Sequence, residues 1–355
     1  MATVSENIGQ EEINKIRDIP MVFIVGCGRS GTTLLQTMIN SHPRIVATPE
    51  CVFIVLLYSR FGKIKSWKEK DILQFVDALY KLPFFALWLI KKEELTRNLL
   101  SVMKFADYPL VCKMVYYKMK QDKDEISVVV DKNPIYSLFI PELLKIYPGS
   151  KFIHIVREPK DTVSAHAGRF NMKNKFFLAW YWKDFNTSIE KAKKALPGSF
   201  FTIMYENFVR NTEQVMRELC KFLNVPFDAG IMQSGFPERL PMYKETERYE
   251  RMKIIHKNLL SPVTDSNIGK WKKEMSERDV SITEAIDGEY ALNKYGYAKE
   301  NLHTIHIPFH QIWKSKVYYN IWKSFLKLRF SNYTFNTYYR KIKRERHAKR
   351  TNNVL

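Results

Sequence analysis

The chain has 355 residues, of which 45% are hydrophobic and 14% aromatic, and it carries a formal net charge of +20 at pH 7. A chain of this length and composition can fill a substantial core, which excludes a mostly disordered protein. Its four cysteines, Cys27, Cys51, Cys112 and Cys220, lie far apart in the sequence. That spacing argues against a zinc site and a disulfide framework and is typical of a reducing compartment.

The N-terminal residues and the apolar runs bear on where the protein resides. Acidic residues precede the first apolar run, so the N-terminus lacks the pattern of a secretory signal. The longest apolar runs, 51–58 and 82–90, are much shorter than the about 20 residues that a membrane-spanning helix needs. We therefore expect a cytoplasmic protein, either free in solution or peripheral to the inner face of a membrane.

The first predicted strand, 21–25, leads into the glycine-rich sequence GCGRSGTT at 26–33, and a helix is predicted over 32–41. A buried strand, a glycine-rich turn and a helix N-terminus together form an anion-binding site. The sequence therefore predicts that a phosphate-like group binds at this turn.

The turn fits three kinds of anion site. The P-loop of nucleotide hydrolases has a lysine after its last glycine, where this chain has Thr32. The dinucleotide-binding turn has the pattern G-x-G-x-x-G, which 26–31 matches, and Glu50 lies about where a ribose-binding acid is expected. The third kind has a cation before the last glycine and hydroxyls after it, as in RSGTT at 29–33, and it suits a phosphosulfate.

Predicted strands and helices alternate along the following residues. A strand over 44–47 ends near Glu50, a helical insertion covers about 52–105, and a strand over 127–130 runs into DKNP at 131–134. The later elements are a helix to about Tyr147, strands over 151–156 and 200–204, and helices over 161–168, 176–195 and 212–223. This alternation predicts an α/β fold whose parallel sheet is flanked by helices on both faces.

A second anion-binding signal follows the predicted strand 151–156. Arg157 stands at the carboxyl end of that strand, and Ser164 lies in the first turns of the next helix. Ligands of open α/β sheets bind beyond the carboxyl ends of the strands, where an arginine can hold a phosphate through two hydrogen bonds. Two separate phosphate sites are what a nucleotide with both 5′ and 3′ groups requires.

Six segments in this order resemble the sulfotransferases that use 3′-phosphoadenosine 5′-phosphosulfate, and especially the subgroup of protein-tyrosine and bacterial enzymes. They are the loop from Gly28, the pair His42-Pro43 followed by Glu50, DKNP at 131–134, the segment 151–164, YENF at 205–208 and IGKWK at 268–272. The resemblance covers roughly residues 20–300 and implies a P-loop-like fold with this nucleotide as co-substrate.

The resemblance also implies which residues bind the nucleotide. The phosphosulfate loop, the 3′-phosphate motif, a tyrosine near the adenine and a late element that closes over the nucleotide contribute them. They are Arg29, Ser30, Gly31, Thr32, Thr33, Arg157, Ser164, Tyr205, Ser266 and Lys270. The R-K-G triplet that the cytosolic subgroup carries before the late element is absent, since Asp265, Ser266 and Asn267 stand there.

Transfer of a sulfuryl group to an alcohol depends on positioning and on charge stabilisation. Arg29 and Lys132 are candidates to stabilise charge on the sulfuryl group and on the bridging oxygen. Glu50 is the candidate general base for the acceptor hydroxyl, and we expect it to be buried. Its alternative role is to cap the helix that begins near Val52. No metal is expected in this chemistry.

Two other enzyme classes remain as alternatives: a P-loop-like small-molecule kinase and an NAD(P)-dependent oxidoreductase that uses the G-x-G-x-x-G turn. For a sulfotransferase, the acceptor hydroxyl belongs to a glycan, a lipid or a sterol-like molecule. We expect the helical segments at 52–105 and 235–265 to shape its pocket.

We divide the chain into an N-terminal segment at 1–19, a main domain at 20–300 and a basic aromatic C-terminal appendage at 301–355. The appendage has 12 lysines and arginines against a single acid, Glu345. It is interpreted either as a helical cover that packs on the domain or as an amphipathic segment on an anionic membrane surface. Binding of nucleic acid is a weaker third interpretation.

Overall fold

The computed structural model describes residues 9–119, 125–170, 172–233, 262–299 and 305–352. Within these residues the centre is a five-stranded sheet in the order β2-β3-β1-β4-β5, with every neighbouring pair parallel. The strands are β1 (Met21–Val25), β2 (Ile45–Thr48), β3 (Val128–Lys132), β4 (Lys151–Val156) and β5 (Phe200–Met204). The predicted parallel α/β sheet is confirmed.

Helices cover both faces of the sheet. Both faces are apolar because successive side chains of each buried strand point into two different apolar layers. In β1, Phe23 and Val25 point into the larger layer, whereas Val22 and Ile24 point into the smaller one. The larger layer includes side chains of α1 (Gln10–Asp18), α3 (Phe53–Phe61), α4 (Glu69–Tyr80), α5 (Lys92–Ser101), α6 (Tyr108–Tyr117), α7 (Ile140–Ile146) and α9 (Lys175–Ala195). The smaller layer includes side chains of α2 (Thr32–Asn40), α10 (Tyr205–Arg210), α11 (Thr212–Leu223) and α12 (Gly230–Gln233).

The helical insertion follows β2 and extends beyond its predicted end, because α6 continues it to Tyr117. Asp107 begins α6 by accepting a hydrogen bond from the backbone N–H of Leu110 at 2.8 Å. Edge-to-face aromatic pairs join the helices, including Phe61 with Phe75 at 5.5 Å and Phe75 with Tyr108 at 6.3 Å between ring centroids. The insertion is therefore part of the main core and not a separate unit.

After β4 the chain forms α8 (Pro159–Phe170), and beyond residue 262 it forms short helices and two long ones. These are α13 (Trp271–Glu274), α14 (Glu277–Thr283), a π-helical turn (Glu284–Gly288), α15 (Glu289–Tyr295), α16 (Phe309–Ser331) and α17 (Tyr333–Asn352). None of the helices in the described ranges is both long and apolar enough to cross a bilayer.

Helix α16 packs on the domain, as the helical-cover interpretation of the C-terminal segment predicts. Asp184 of α9 accepts hydrogen bonds from the Tyr319 hydroxyl at 3.0 Å and from Lys323 Nζ at 2.6 Å. Leu326 and Phe330 are buried in the larger apolar layer. The helix therefore completes the core on the side of α3 and α9.

Candidate active site

The order of the strands determines the order of the candidate site residues. All five strands are parallel, so their carboxyl ends meet at one edge of the sheet. Along this edge Glu50 follows β2, Lys132 ends β3, the glycine-rich loop follows β1, Arg157 follows β4 and Tyr205 follows β5. Residues from distant parts of the sequence thus form a single row.

The loop between β1 and α2 has the backbone of an anion-binding site. Gly26 and Gly31 have φ values of +147° and +95°, and Arg29 also has a positive φ, of +67°. Helix α2 begins after Gly31 without a side-chain cap, which leaves backbone N–H groups of its first turn available to a ligand. The buried Ser30 hydroxyl has no hydrogen-bond partner among the described residues. A phosphate or phosphosulfate oxygen at this loop fits both features.

Replacing Gly31 by alanine is expected to destabilise the protein by about 2 to 5 kcal/mol. A left-handed backbone costs an L side chain about 1–2 kcal/mol, and crowding adds about 1–3 kcal/mol. A Cβ at Gly31 would lie 2.7 Å from Cδ2 of Tyr205. Gly198 is the matched control, because its φ is +83° but no atom lies within 4 Å of its Cβ position. Urea unfolding should show the smaller loss for Gly198→Ala, and equal losses would contradict the steric argument.

Glu50 and Lys132 form an ion pair beside the loop. Lys132 Nζ donates to Glu50 Oε1 at 2.5 Å and to the Thr33 hydroxyl at 3.2 Å, so the lysine joins β3 to the start of α2. The Glu50 side chain is 46% exposed, whereas that of Lys132 is 5% exposed. The expectation that Glu50 is buried is therefore wrong. Helix α3 also begins without a side-chain cap, so Glu50 does not have the capping role.

The residue before Lys132, Asp131, is the centre of a buried hydrogen-bonded group. Asp131 accepts hydrogen bonds from the Tyr116 hydroxyl and from Asn133 Nδ2, both at 2.6 Å. Burial raises the pKa of Asp131 to about 7, and the two hydrogen bonds and the adjacent Lys132 oppose this shift. These contacts restrict the end of β3 and so limit where the lysine can point.

Arg157 lies between the glycine-rich loop and the late segment of the chain. Its guanidinium donates to the backbone carbonyls of Arg29, at 3.2 Å, and of Asn267, and it lies 4.6 Å from the ring centroid of Tyr205. Asp161 accepts from the backbone N–H groups of Gly269 at 2.7 Å and Trp271 at 3.1 Å. The late segment is thus held against Arg157, which follows β4, and Asp161, which lies in the first turn of α8.

The remaining predicted nucleotide-binding residues differ in where they lie. The Ser164 hydroxyl donates to Glu274 Oε2 at 2.5 Å, so a carboxylate occupies the anion position beside it. Ser266 is exposed and its hydroxyl pairs with that of Thr264 at 2.9 Å. Lys270 is also exposed. The structure brings Arg29, Thr33, Arg157 and Tyr205 around the loop and leaves the Ser266 and Lys270 side chains at the surface.

A cavity of about 670 Å³ opens beside the row of site residues. Arg29, Thr33, Glu50 and Lys132 line its polar end. Apolar side chains from the insertion, α9 and α16 line the remainder, among them Val52, Phe84, Phe177, Tyr181, Trp322 and Phe330. The volume is that of a typical small-molecule site. The expected contribution of the segment 235–265 concerns residues that lie mostly outside the described ranges.

Sequence analysis missed two contributions to this cavity. His166 lines it, and burial together with the charge of Arg29 lowers the pKa of its imidazole to about 4, so the ring is neutral at pH 7. The sequence signal that could have indicated His166 is its position in α8, two residues after the candidate site residue Ser164. Helix α16 contributes Trp322, Leu326, Arg329 and Phe330, whose helical spacing was visible but gave no indication of the partner surface.

The glycine-rich loop after the central strand and an arginine after the adjacent strand lie at the carboxyl edge of a parallel α/β sheet of the P-loop-like class. A family profile described as "Sulfotransferase family" matches residues 20–229 of the chain. The chain belongs to the sulfotransferase family.

Two relatives of this chain are distant from it in sequence. A protein-tyrosine sulfotransferase of Drosophila melanogaster is 25% identical over 267 residues, which is 72% of this chain and 47% of the fly protein. The omega-hydroxy-beta-dihydromenaquinone-9 sulfotransferase Stf3 of Mycobacterium bovis is 23% identical over 251 residues, 58% of this chain and 63% of that protein. The chain therefore spans less than two thirds of the length of each.

The fold also matches a solved structure. The sulfotransferase domain from the curacin biosynthetic pathway superimposes with a TM-score of 0.50 at 20% identity, covering 77% of this chain and 97% of that one. At this identity the similarity concerns the fold.

Proposed function

We propose that the protein transfers the sulfuryl group of 3′-phosphoadenosine 5′-phosphosulfate to a hydroxyl group of an acceptor. The observation that carries the proposal is the row of Glu50, Lys132, the glycine-rich loop, Arg157 and Tyr205 along the carboxyl ends of the strands. In this row the glycine-rich loop is one candidate anion site, with the Glu50–Lys132 pair beside it, and Arg157 is the second.

In this proposal the two anion sites hold the two ends of the nucleotide. The glycine-rich loop and the N-terminus of α2 bind the 5′-phosphosulfate. Arg157 binds the 3′-phosphate, and the adenine lies near the Tyr205 ring, whose centroid is 4.6 Å from the Arg157 guanidinium. Ser164 joins the 3′-phosphate site when the nucleotide replaces the Glu274 carboxylate.

The transfer is an in-line displacement at sulfur. The acceptor oxygen forms a bond to sulfur while the bond from sulfur to the 5′-phosphate oxygen breaks, which leaves 3′,5′-bisphosphoadenosine. Glu50 takes the proton of the acceptor hydroxyl. Lys132 and Arg29 stabilise the negative charge on the sulfuryl oxygens and on the leaving oxygen.

The acceptor is an apolar molecule that carries a hydroxyl group. A lipid or sterol-like molecule suits the cavity better than a glycan does. The support is the lining of the cavity, which is aromatic and aliphatic away from Glu50 and Lys132. The acceptor in the name of the mycobacterial relative, a hydroxylated menaquinone, agrees with this class.

Calorimetric titration with 3′,5′-bisphosphoadenosine, ATP and NADH tests the donor assignment. We expect the bisphosphate to bind, and we expect ADP, which lacks the 3′-phosphate, to bind much more weakly because Arg157 has no phosphate to hold. Binding of ATP or NADH without binding of the bisphosphate would instead support the kinase or the oxidoreductase and overturn the proposal.

A further inference from the structure

Helix α16 has apolar side chains on two faces. Its inner face, with Tyr319, Trp322, Leu326 and Phe330, packs on the domain. A second row, which we call the outer stripe, is exposed and recurs at a spacing of three or four residues. The outer stripe consists of Phe309, Trp313, Val317, Ile321, Phe325 and Leu328. Phe325 is the least exposed of them, at 38%, because it also packs edge-to-face against Phe335 and Tyr339 of α17.

The outer stripe is unusually exposed for its composition. Phe309 is 77% exposed, Trp313 60% and Ile321 65%. With a rise of 1.5 Å per residue, the stripe extends over about 28 Å of the helix. A continuous apolar row of this length on a folded protein marks a surface that binds something apolar.

Basic residues flank the outer stripe. Lys314, Lys316, Lys323 and Lys327 lie on the same helix, and no acidic residue occurs between 301 and 344. Lys323 is paired with Asp184 at 2.6 Å. Helix α17 continues the basic character, so the whole C-terminal segment attracts an anionic surface.

The positive charge around the outer stripe distinguishes between two candidate partners, a second copy of the chain and a lipid bilayer. A second copy of the chain placed symmetrically on this face would bring two basic helices together, and like charges would oppose the contact. An anionic bilayer surface complements both features, because its headgroups attract lysines and its interface accommodates Trp, Phe and Ile side chains.

We propose that the outer stripe of α16 binds to the surface of a bilayer that contains anionic lipids. The helix lies along the interface with its outer stripe in the headgroup region and its inner face against the domain. The opposite side of the same helix lines the cavity through Trp322, Leu326 and Phe330. This inference does not depend on which reaction the site performs.

Co-sedimentation of the full chain with lipid vesicles tests the proposal. The two probes are phosphatidylcholine vesicles and vesicles of phosphatidylcholine mixed with phosphatidylglycerol. We expect binding to the mixed vesicles, weaker binding to neutral ones, and a decrease as salt rises because salt screens exposed charges. Failure to bind the mixed vesicles would overturn the proposal.

Variants locate the surface. Trp313→Glu and Ile321→Glu together are expected to weaken vesicle binding at least about tenfold, since each change removes a large apolar side chain from the contact. Leu73→Glu and Leu292→Glu are matched controls, because Leu73 and Leu292 are 43% and 44% exposed and lie on α4 and α15. We expect these two controls to bind like the unmodified protein. Equal weakening by both pairs would overturn the assignment to α16.

Two other measurements separate this proposal from its rivals. Size-exclusion chromatography that shows a dimer broken by the α16 pair would assign the stripe to a second copy of the chain and overturn the lipid assignment. Titration of the same variants with 3′,5′-bisphosphoadenosine reports separately on the nucleotide site. If the full chain binds the nucleotide normally but does not bind vesicles, only the membrane proposal is contradicted. If it binds vesicles but not the nucleotide, the membrane proposal is confirmed and only the proposed donor is contradicted.

Discussion

Replacing Glu50 by glutamine is expected to lower kcat by about 10²- to 10⁴-fold, the range typical of a lost general base. The amide keeps the size of the carboxylate and can still accept a hydrogen bond from Lys132, but it cannot take the proton of the acceptor. Nucleotide affinity should change by less than about threefold, because the glutamate acts on the acceptor and not on the donor. Steady-state kinetics and calorimetry with 3′,5′-bisphosphoadenosine measure the two effects.

Glu94 provides a closely matched control for Glu50. It pairs with Lys118 at 2.7 Å and its side chain is 44% exposed, compared with 2.5 Å and 46% for the Glu50–Lys132 pair. Glu94→Gln removes the same charge from a similar ion pair outside the site, and we expect kcat to be unchanged. A near-normal kcat for Glu50→Gln would show that another group takes the proton.

Replacing Arg157 by alanine is expected to raise the donor KM and the Kd of 3′,5′-bisphosphoadenosine by about 10- to 150-fold. This corresponds to the loss of about 1.5–3 kcal/mol for hydrogen bonds to a charged group. The value of kcat at saturating donor should change little, since the 3′-phosphate does not react. Kinetics at varied donor concentration separate the two parameters.

Two further variants make the Arg157 result interpretable. Arg157→Lys keeps the charge but loses the planar pair of donors, so we expect an intermediate affinity. Arg17 pairs with Asp107 at 2.5 Å and donates to the Phe105 carbonyl at 2.7 Å. It lies before the amino end of β1, whereas the candidate site lies at the carboxyl ends of the strands. Arg17→Ala thus removes comparable contacts away from the site. An unchanged donor KM for Arg157→Ala would contradict the 3′-phosphate assignment.

Local patterns in the sequence predicted the strands well. The strands β1, β4 and β5 begin and end at the predicted residues, and β2 and β3 differ by one or two positions. These strands are short, mostly apolar runs, and β1 and β2 are bounded by glycine, proline or arginine, which is a strong local signal. The position of Lys132 and Arg157 at strand ends followed directly from the same signal.

The arrangement of side chains within the site was less accessible to sequence analysis. The pairing of Glu50 with Lys132 depends on β2 and β3 being neighbours in the sheet, and no local pattern determines that order. The exposed side chain of Glu50 lines a cavity to which α9 and α16 contribute from far along the chain. Contacts between distant segments therefore account for most of what the sequence did not reveal.

The central position of β1 in the sheet has a consequence for folding. Met21 pairs with Val129 on one side and Val22 with Lys151 on the other, so both neighbours of β1 come from much later in the chain. Such non-local pairing slows folding, because the intervening chain must be closed into a loop before the contacts form. During synthesis the glycine-rich loop emerges early but gains its supporting strands late. The nucleotide proposed as donor would therefore stabilise only chains in which these strands have already paired.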